Sequence, residues 1–267
     1  MSPWHAFQAW RRRREARRHP LPAEAWQTAC RRLPLLAALP ADEAERLGER
    51  AWAFLRHKRI STPETAEFDL ATRLGLAAQA CLLTLGWSDA EAGEAFANVH
   101  EVVVVPEAFR RHVAEMDDAG VIHEYEDERV GETWFQGPVV ISRIDLLDSG
   151  GWNGFNVVIH EFAHKLDMSN SRDADGFPPL PRDIDPREWH RVFTAVWDDL
   201  QAHLAHGRPT PIDDYAGSHP GECFAVCCEL FFSAPGRLRH AYPALYALLS
   251  RYFAQDPLAR RRPANHA

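Results

Sequence analysis

The stretch GECFAVCCELFF, Gly221 to Phe232, carries apolar or cysteine side chains on almost every side of a helical wheel. A helix that is apolar all round has no face to offer water, so other elements must enclose it completely. Only Glu222 and Glu229 break the pattern, and their spacing of seven puts them on one face. Burying an unpaired carboxylate costs on the order of several kcal/mol, so such groups are normally paired or bound to a metal ion. The chain has 267 residues, 46% of them hydrophobic, which is enough apolar mass to surround the helix in one large domain or two small ones.

A second segment supplies the other half of the argument. NVVIHEFAHKLD, Asn156 to Asp167, contains the pattern HExxH. At about 100° per residue, Phe155, Val158, Ile159, Phe162 and Leu166 form one apolar stripe. His160 and His164 fall on the opposite side, about 40° apart and one turn up, where two imidazoles can reach one ion. Glu161 is rotated away from that direction, beside the ion rather than on it. Val157 lies between the histidine and glutamate directions, so that face is expected to be covered too.

A catalytic zinc takes three protein ligands and keeps one position for water. The extended pattern HExxHxxGxxH is ruled out, because Asp167 and Asn170 stand at its Gly and His positions. A glutamate from another helix is the remaining common solution, and the acidic line of the apolar helix is the outstanding source. Spacing does not choose between Glu222 and Glu229; the one left over is expected to pair with an arginine. His219 is a competing ligand, although SHPG reads as a turn before the helix. Asp167 is expected either to orient a ligand imidazole or to serve as a plain helix-end carboxylate. Cys223, Cys227 and Cys228 point in different directions, as small core residues do.

The rest of the chain sets limits. Net charge is −8, with +5 concentrated in the Arg-rich residues 1–20 and −13 elsewhere, which argues against nucleic acid as the main ligand. No apolar run is long enough for a membrane span, and no secretory pattern opens the chain. Five cysteines, an odd count with no CxxC pair, fit a reducing cytoplasm.

From Pro22 to about Ala97 the pattern is helical, with Asp42 and Glu45 at capping-box spacing and a stop at Gly86. EVVVVPEAF suits a strand, and VIHEYEDERVGETWFQGPVVISRIDLLD reads as two or three antiparallel strands with turns near Gly131 and Gly137. Beyond Phe155 the chain is helical again, interrupted by FPPLPRDIDP. The expected class is α+β, mostly helical, with a small central sheet. If GPVVISRID is an edge strand, a peptide can add to it by backbone pairing; an interior strand offers no such edge.

GFNVVIHEFAHKLD, DDYAGSHPGECFAVCCELFFSAP and YFAQDP closely resemble the MtfA family, named for titrating the glucose-repressor protein Mlc. The likeness includes LPLLAALPADEAERL and FQGPVVISRIDLLDSGGWNGFN and runs from about Pro22 to Pro257. It implies a zincin-like fold similar to the protease domain of anthrax lethal factor and a cytoplasmic, zinc-dependent, aminopeptidase-like activity on peptide or protein substrates. It further implies that His160, His164 and Glu222 bind Zn²⁺, that Glu161 is the catalytic base, and that Tyr215 stabilises the transition state. On this reading residues 22–257 form one peptidase domain between flexible tails, 1–21 and 258–267. The Arg-rich start departs from the family's pattern and suggests no function by itself. The alternative expectation is a protein that mainly sequesters an Mlc-like transcriptional repressor, its zinc structural.

Overall fold

The computed structural model describes residue 14, residues 18–62, 68–106 and 137–261, and, for backbone alone, residues 109–116, 122–129 and 131–133. The helical first part contains α1 (Ala23–Arg32), α2 (Pro34–Ala37), α3 (Ala41–His57), α4 (Leu70–Leu82) and α5 (Asp89–Glu94), with the short strand β1 (Arg59–Ser61) after α3. Pro40, not Asp42, precedes the first turn of α3, and no side chain caps that end. Asp42 lies inside the first turn, where its charge meets the positive end of the helix dipole. Gly86 ends the turns that follow α4. A methyl there would lie 2.3 Å from the Phe253 carbonyl oxygen, so the position is held by close backbone approach.

The strands are β2 (Glu101–Val105), β3 (Phe109–Met116), β4 (Ile122–Arg129), β5 (Gly131–Thr133) and β6 (Val139–Ser142). Of the antiparallel strands expected beyond Val121, β5 and β6 do pair antiparallel, but β4 does not join them. The main sheet has the order β1-β2-β6-β5; β1, β2 and β6 are parallel, and only β5 runs antiparallel to β6. β3 and β4 pair with each other as a separate antiparallel hairpin. The sheet thus takes β6 to a partner far back in the chain, which alternation within one segment cannot reveal. Because β6 is paired on both sides, it has no edge for a peptide, and β5 forms that side of the sheet among the described residues.

The C-terminal part is helical: α6 (Arg143–Asp148), α7 (Val157–Asp167), α8 (Pro186–Ala205), a 3₁₀ turn (Asp214–Gly217), α9 (Pro220–Ser233), α10 (Pro235–Ala241), α11 (Pro243–Phe253) and α12 (Pro257–Arg260). One apolar core runs from Trp26 to Phe253. The stripe of α7 enters it as its period requires: Val158, Ile159 and Phe162 are fully buried, each contributing about 1.5–3 kcal/mol by burial. Phe162 meets Phe54 and Phe96 edge to face, with centroids 5.7 and 5.0 Å away. Every residue of α9 from Cys223 to Ser233 is buried, its cysteines among them as free thiols. No helix among the described residues is long and apolar enough to cross a membrane.

Candidate metal centre

Helix α7 is anchored before its histidines begin. Asn156 caps it, its Oδ1 accepting the Ile159 N–H at 3.0 Å, and the Val157 N–H donates to Ser149 Oγ at 3.0 Å. Lys165, fully buried, donates through Nζ to the Gly137 carbonyl at 3.0 Å, tying the helix to the segment just before β6. Burial lowers the Lys165 pKa to about 8, against the opposing charge of Glu161.

The opposite wall is the start of α9. Pro220 opens that helix, where its missing N–H leaves no bond unmade, and His219 caps it by accepting the Gly221 N–H at Nδ1, 3.2 Å away. His219 Nδ1 is therefore committed to the backbone, and Glu222, in the first turn of α9, faces the histidines.

His160 Nε2 lies 3.1 Å from Glu222 Oε2, and His164 Nε2 lies 3.2 Å from the same oxygen. The ligand atoms of these three residues all fall within 4.8 Å of one another, and among the described residues no fourth His, Cys, Asp or Glu joins them. Atoms about 2.0–2.1 Å from a tetrahedral ion stand roughly 3.3–3.4 Å apart, so two nitrogens and an oxygen at these separations fit such an ion with little movement. The side chains are 10–16% exposed, so the group lines a surface that solvent reaches. Burial works against a charge on His160, but Glu222 and Glu229 outweigh it and hold its pKa well above 6.5. Burial also pushes the Glu222 carboxyl up; its bonds to the two imidazoles reverse this and leave it far below the usual carboxylate range.

Among the described residues Glu229 pairs with no arginine. Its Oε2 lies 3.4 Å from His160 Nδ1, behind the ring, and its Oε1 accepts the Asn156 N–H. Sequence reasoning missed this link and the contact of Asn156 Nδ2 with Gln79 Oε1 at 2.8 Å. The one local signal was an asparagine at the N-cap position.

Glu161 is buried, 3% exposed, and its charge acts on His160 and Lys165. Tyr215 is not a core aromatic: it is 37% exposed, and its ring centroid lies 6.3 Å from that of His160. The 3₁₀ turn holds it there, with Asp213 accepting the Tyr215 N–H at 3.0 Å and Gln201 donating to the Gly217 carbonyl at 2.7 Å. Asp167 is fully buried and accepts the Gly176 N–H at 2.7 Å, so it ties down the loop after α7. Burial raises its pKa to about 7, partly offset by that bond.

Residues 7–254 match the sequence profile of the family described as glucose-regulated metallo-peptidase M90. The chain is 38% identical over 242 residues to Mlc titration factor A of Edwardsiella ictaluri, covering 88% of this chain and 88% of that protein. It is 36% identical over 237 residues to the protein of the same name from Salmonella arizonae, covering 86% and 90%. With that of Escherichia coli it shares 35% over 263 residues, 96% of this chain and 94% of the relative.

Proposed function

The chain belongs to the glucose-regulated metallo-peptidase M90 family, and from that premise we propose that it is a zinc-dependent peptidase with aminopeptidase-like activity in the cytoplasm. The observation that carries the proposal is the convergence of His160 Nε2, His164 Nε2 and Glu222 Oε2, with Glu161 on the same helix as both imidazoles. These three residues would hold the ion, and residues 22–257 would form the peptidase domain.

When bound, Zn²⁺ supplies Lewis acidity and makes water a stronger nucleophile near neutral pH. Glu161 accepts a proton from the attacking water and delivers it to the leaving amine. Its burial favours this by shielding the carboxylate from bulk water. Tyr215 donates its hydroxyl hydrogen to the oxyanion that develops at the scissile carbonyl, and it does so without adding charge. His160 and His164 would hold the ion through Nε2.

The relatives' name says that they titrate Mlc, which favours a second role: binding an Mlc-like transcriptional repressor. A purely structural metal is less well supported, since a structural site takes four protein ligands and the described residues bring three together. Metal analysis and hydrolysis of a small peptide library by wild type and Glu161→Gln test the proposal. Stoichiometric zinc in both, with turnover in wild type alone, is expected; turnover retained by the variant removes Glu161 from its role.

A further inference from the structure

We infer that Glu229 is a positioning residue, which fixes the tautomer and the orientation of His160 so that Nε2 is free for the metal ion. The inference rests on the metal assignment above and concerns the other side of the imidazole ring. Glu222 meets His160 at Nε2, whereas Glu229 meets it at Nδ1. The ring stands between the two carboxylates, so Glu229 does not share the ion with Glu222.

A metal-binding imidazole must be neutral, with its hydrogen on the nitrogen that does not bind. An acceptor aimed at that nitrogen selects the tautomer and stops the ring from turning. Glu229 Oε2 is such an acceptor, 3.4 Å from Nδ1. The carboxylate is itself held, because its Oε1 takes the backbone N–H of Asn156. Asn156, with no exposed surface, is fixed at three points: that N–H, its cap on Ile159 and the hydrogen bond its side-chain NH₂ donates to Gln79 Oε1. Gln79 in turn donates to the Gly75 carbonyl at 3.3 Å within α4. A chain of buried polar groups therefore runs from α4 through the first residue before α7 to the imidazole, and each member is bonded to the next.

This arrangement makes Glu229→Gln a directed test. The Asn156 N–H requires an acceptor, so the amide oxygen of the new side chain takes the place of Oε1 and its NH₂ faces His160. Nδ1 must then accept, and the ring hydrogen moves to Nε2, the nitrogen the metal needs. The fold keeps its hydrogen bonds, but the tautomer is wrong.

Zinc affinity is measured by chelator competition, beside thermal unfolding of the metal-free proteins. The expected result is zinc binding about 10–100-fold weaker in the variant, with the metal-free variant still folded and melting cooperatively. Equal affinities overturn the inference. A wild-type chain that binds no zinc removes the metal assignment beneath it, which is a distinguishable failure. If the variant does not fold, the ring ¹⁵N–¹H spectrum of the zinc-loaded wild type decides: a hydrogen on His160 Nδ1 supports the assignment, and one on Nε2 overturns it.

Discussion

Gly221 and Ala174 touch through their backbones: a methyl group on Gly221 would lie 2.4 Å from the Ala174 carbonyl oxygen. Two residues on, Gly176 has φ +78°, and a methyl there would come within 2.8 Å of the Pro220 carbonyl oxygen. Asp167 holds the Gly176 N–H, and Trp189 Nε1 donates to the Gly176 carbonyl at 2.9 Å. The loop that leaves the histidine helix thus rests directly on the first turn of the glutamate helix. The gap between His164 and Glu222 is set by backbone contacts rather than by side chains alone.

Gly221→Ala is accordingly expected to push the start of α9 off that loop and to move Glu222 with it. Overpacking of this kind costs about 1–3 kcal/mol. The variant is expected to retain its fold, melt earlier and hold metal more weakly than wild type, though better than Glu222→Ala, which removes a proposed ligand outright. Metal content after dialysis, measured beside the melting temperature, separates the three proteins.

Tyr215→Phe removes one hydroxyl from a half-exposed ring beside His160. Loss of one oxyanion donor typically lowers kcat about 10²–10³-fold. The zinc content and KM of the variant are expected to stay near those of wild type. An unchanged kcat on peptide substrates would exclude the hydroxyl from the reaction.

Acidification is expected to release the metal. Ligation requires neutral imidazoles, while Glu222 and Glu229 raise the pKa of His160 well above 6.5 in the metal-free chain, against the effect of burial. Protons therefore compete with the ion from above that value downward, so affinity rises with pH through neutrality. Each proton displaced contributes a slope of up to about tenfold per pH unit. Chelator competition at a series of pH values measures it, and a flat profile across the neutral range contradicts the assignment.

Asp69 caps α4, the helix that carries Gln79. Its Oδ1 accepts the Thr72 N–H and the Thr72 hydroxyl, both at 2.6 Å, and Arg32 pairs with Oδ2 at 2.8 Å. The Thr72 hydroxyl and N–H, with the Arg32 charge, hold its pKa at about 2, below the ordinary 3.8. A depressed carboxylate pKa stabilises the fold at pH values above the unfolded one, and this contribution is lost as pH falls through the folded one. Asp69→Ala is expected to cost about 0.5–1 kcal/mol at neutral pH, the low end for an N-cap because the site is half exposed. Melting curves of the two proteins are expected to converge as pH falls from about 4 towards 2.

What the amino-acid sequence determined by itself was whatever depends on near neighbours. Helical period alone puts His160 and His164 on one face and Glu161 to the side, and it marks the helix of Glu222 and Glu229 as buried throughout. The mostly helical α+β class follows from the same local patterns. Tertiary structure decided the rest. Glu222 and Glu229 share a face and a chemistry, so nothing local distinguishes them, and only the family resemblance favoured Glu222. The way α9 crosses α7 brings one carboxylate to the Nε2 side of His160 and the other to the Nδ1 side. Likewise β6 lies parallel to β2 as well as antiparallel to its neighbour β5, because strand pairing is settled by contacts between distant segments. Periodicity reports which face of an element is buried; what it is buried against depends on crossing angles and register, which no single segment contains.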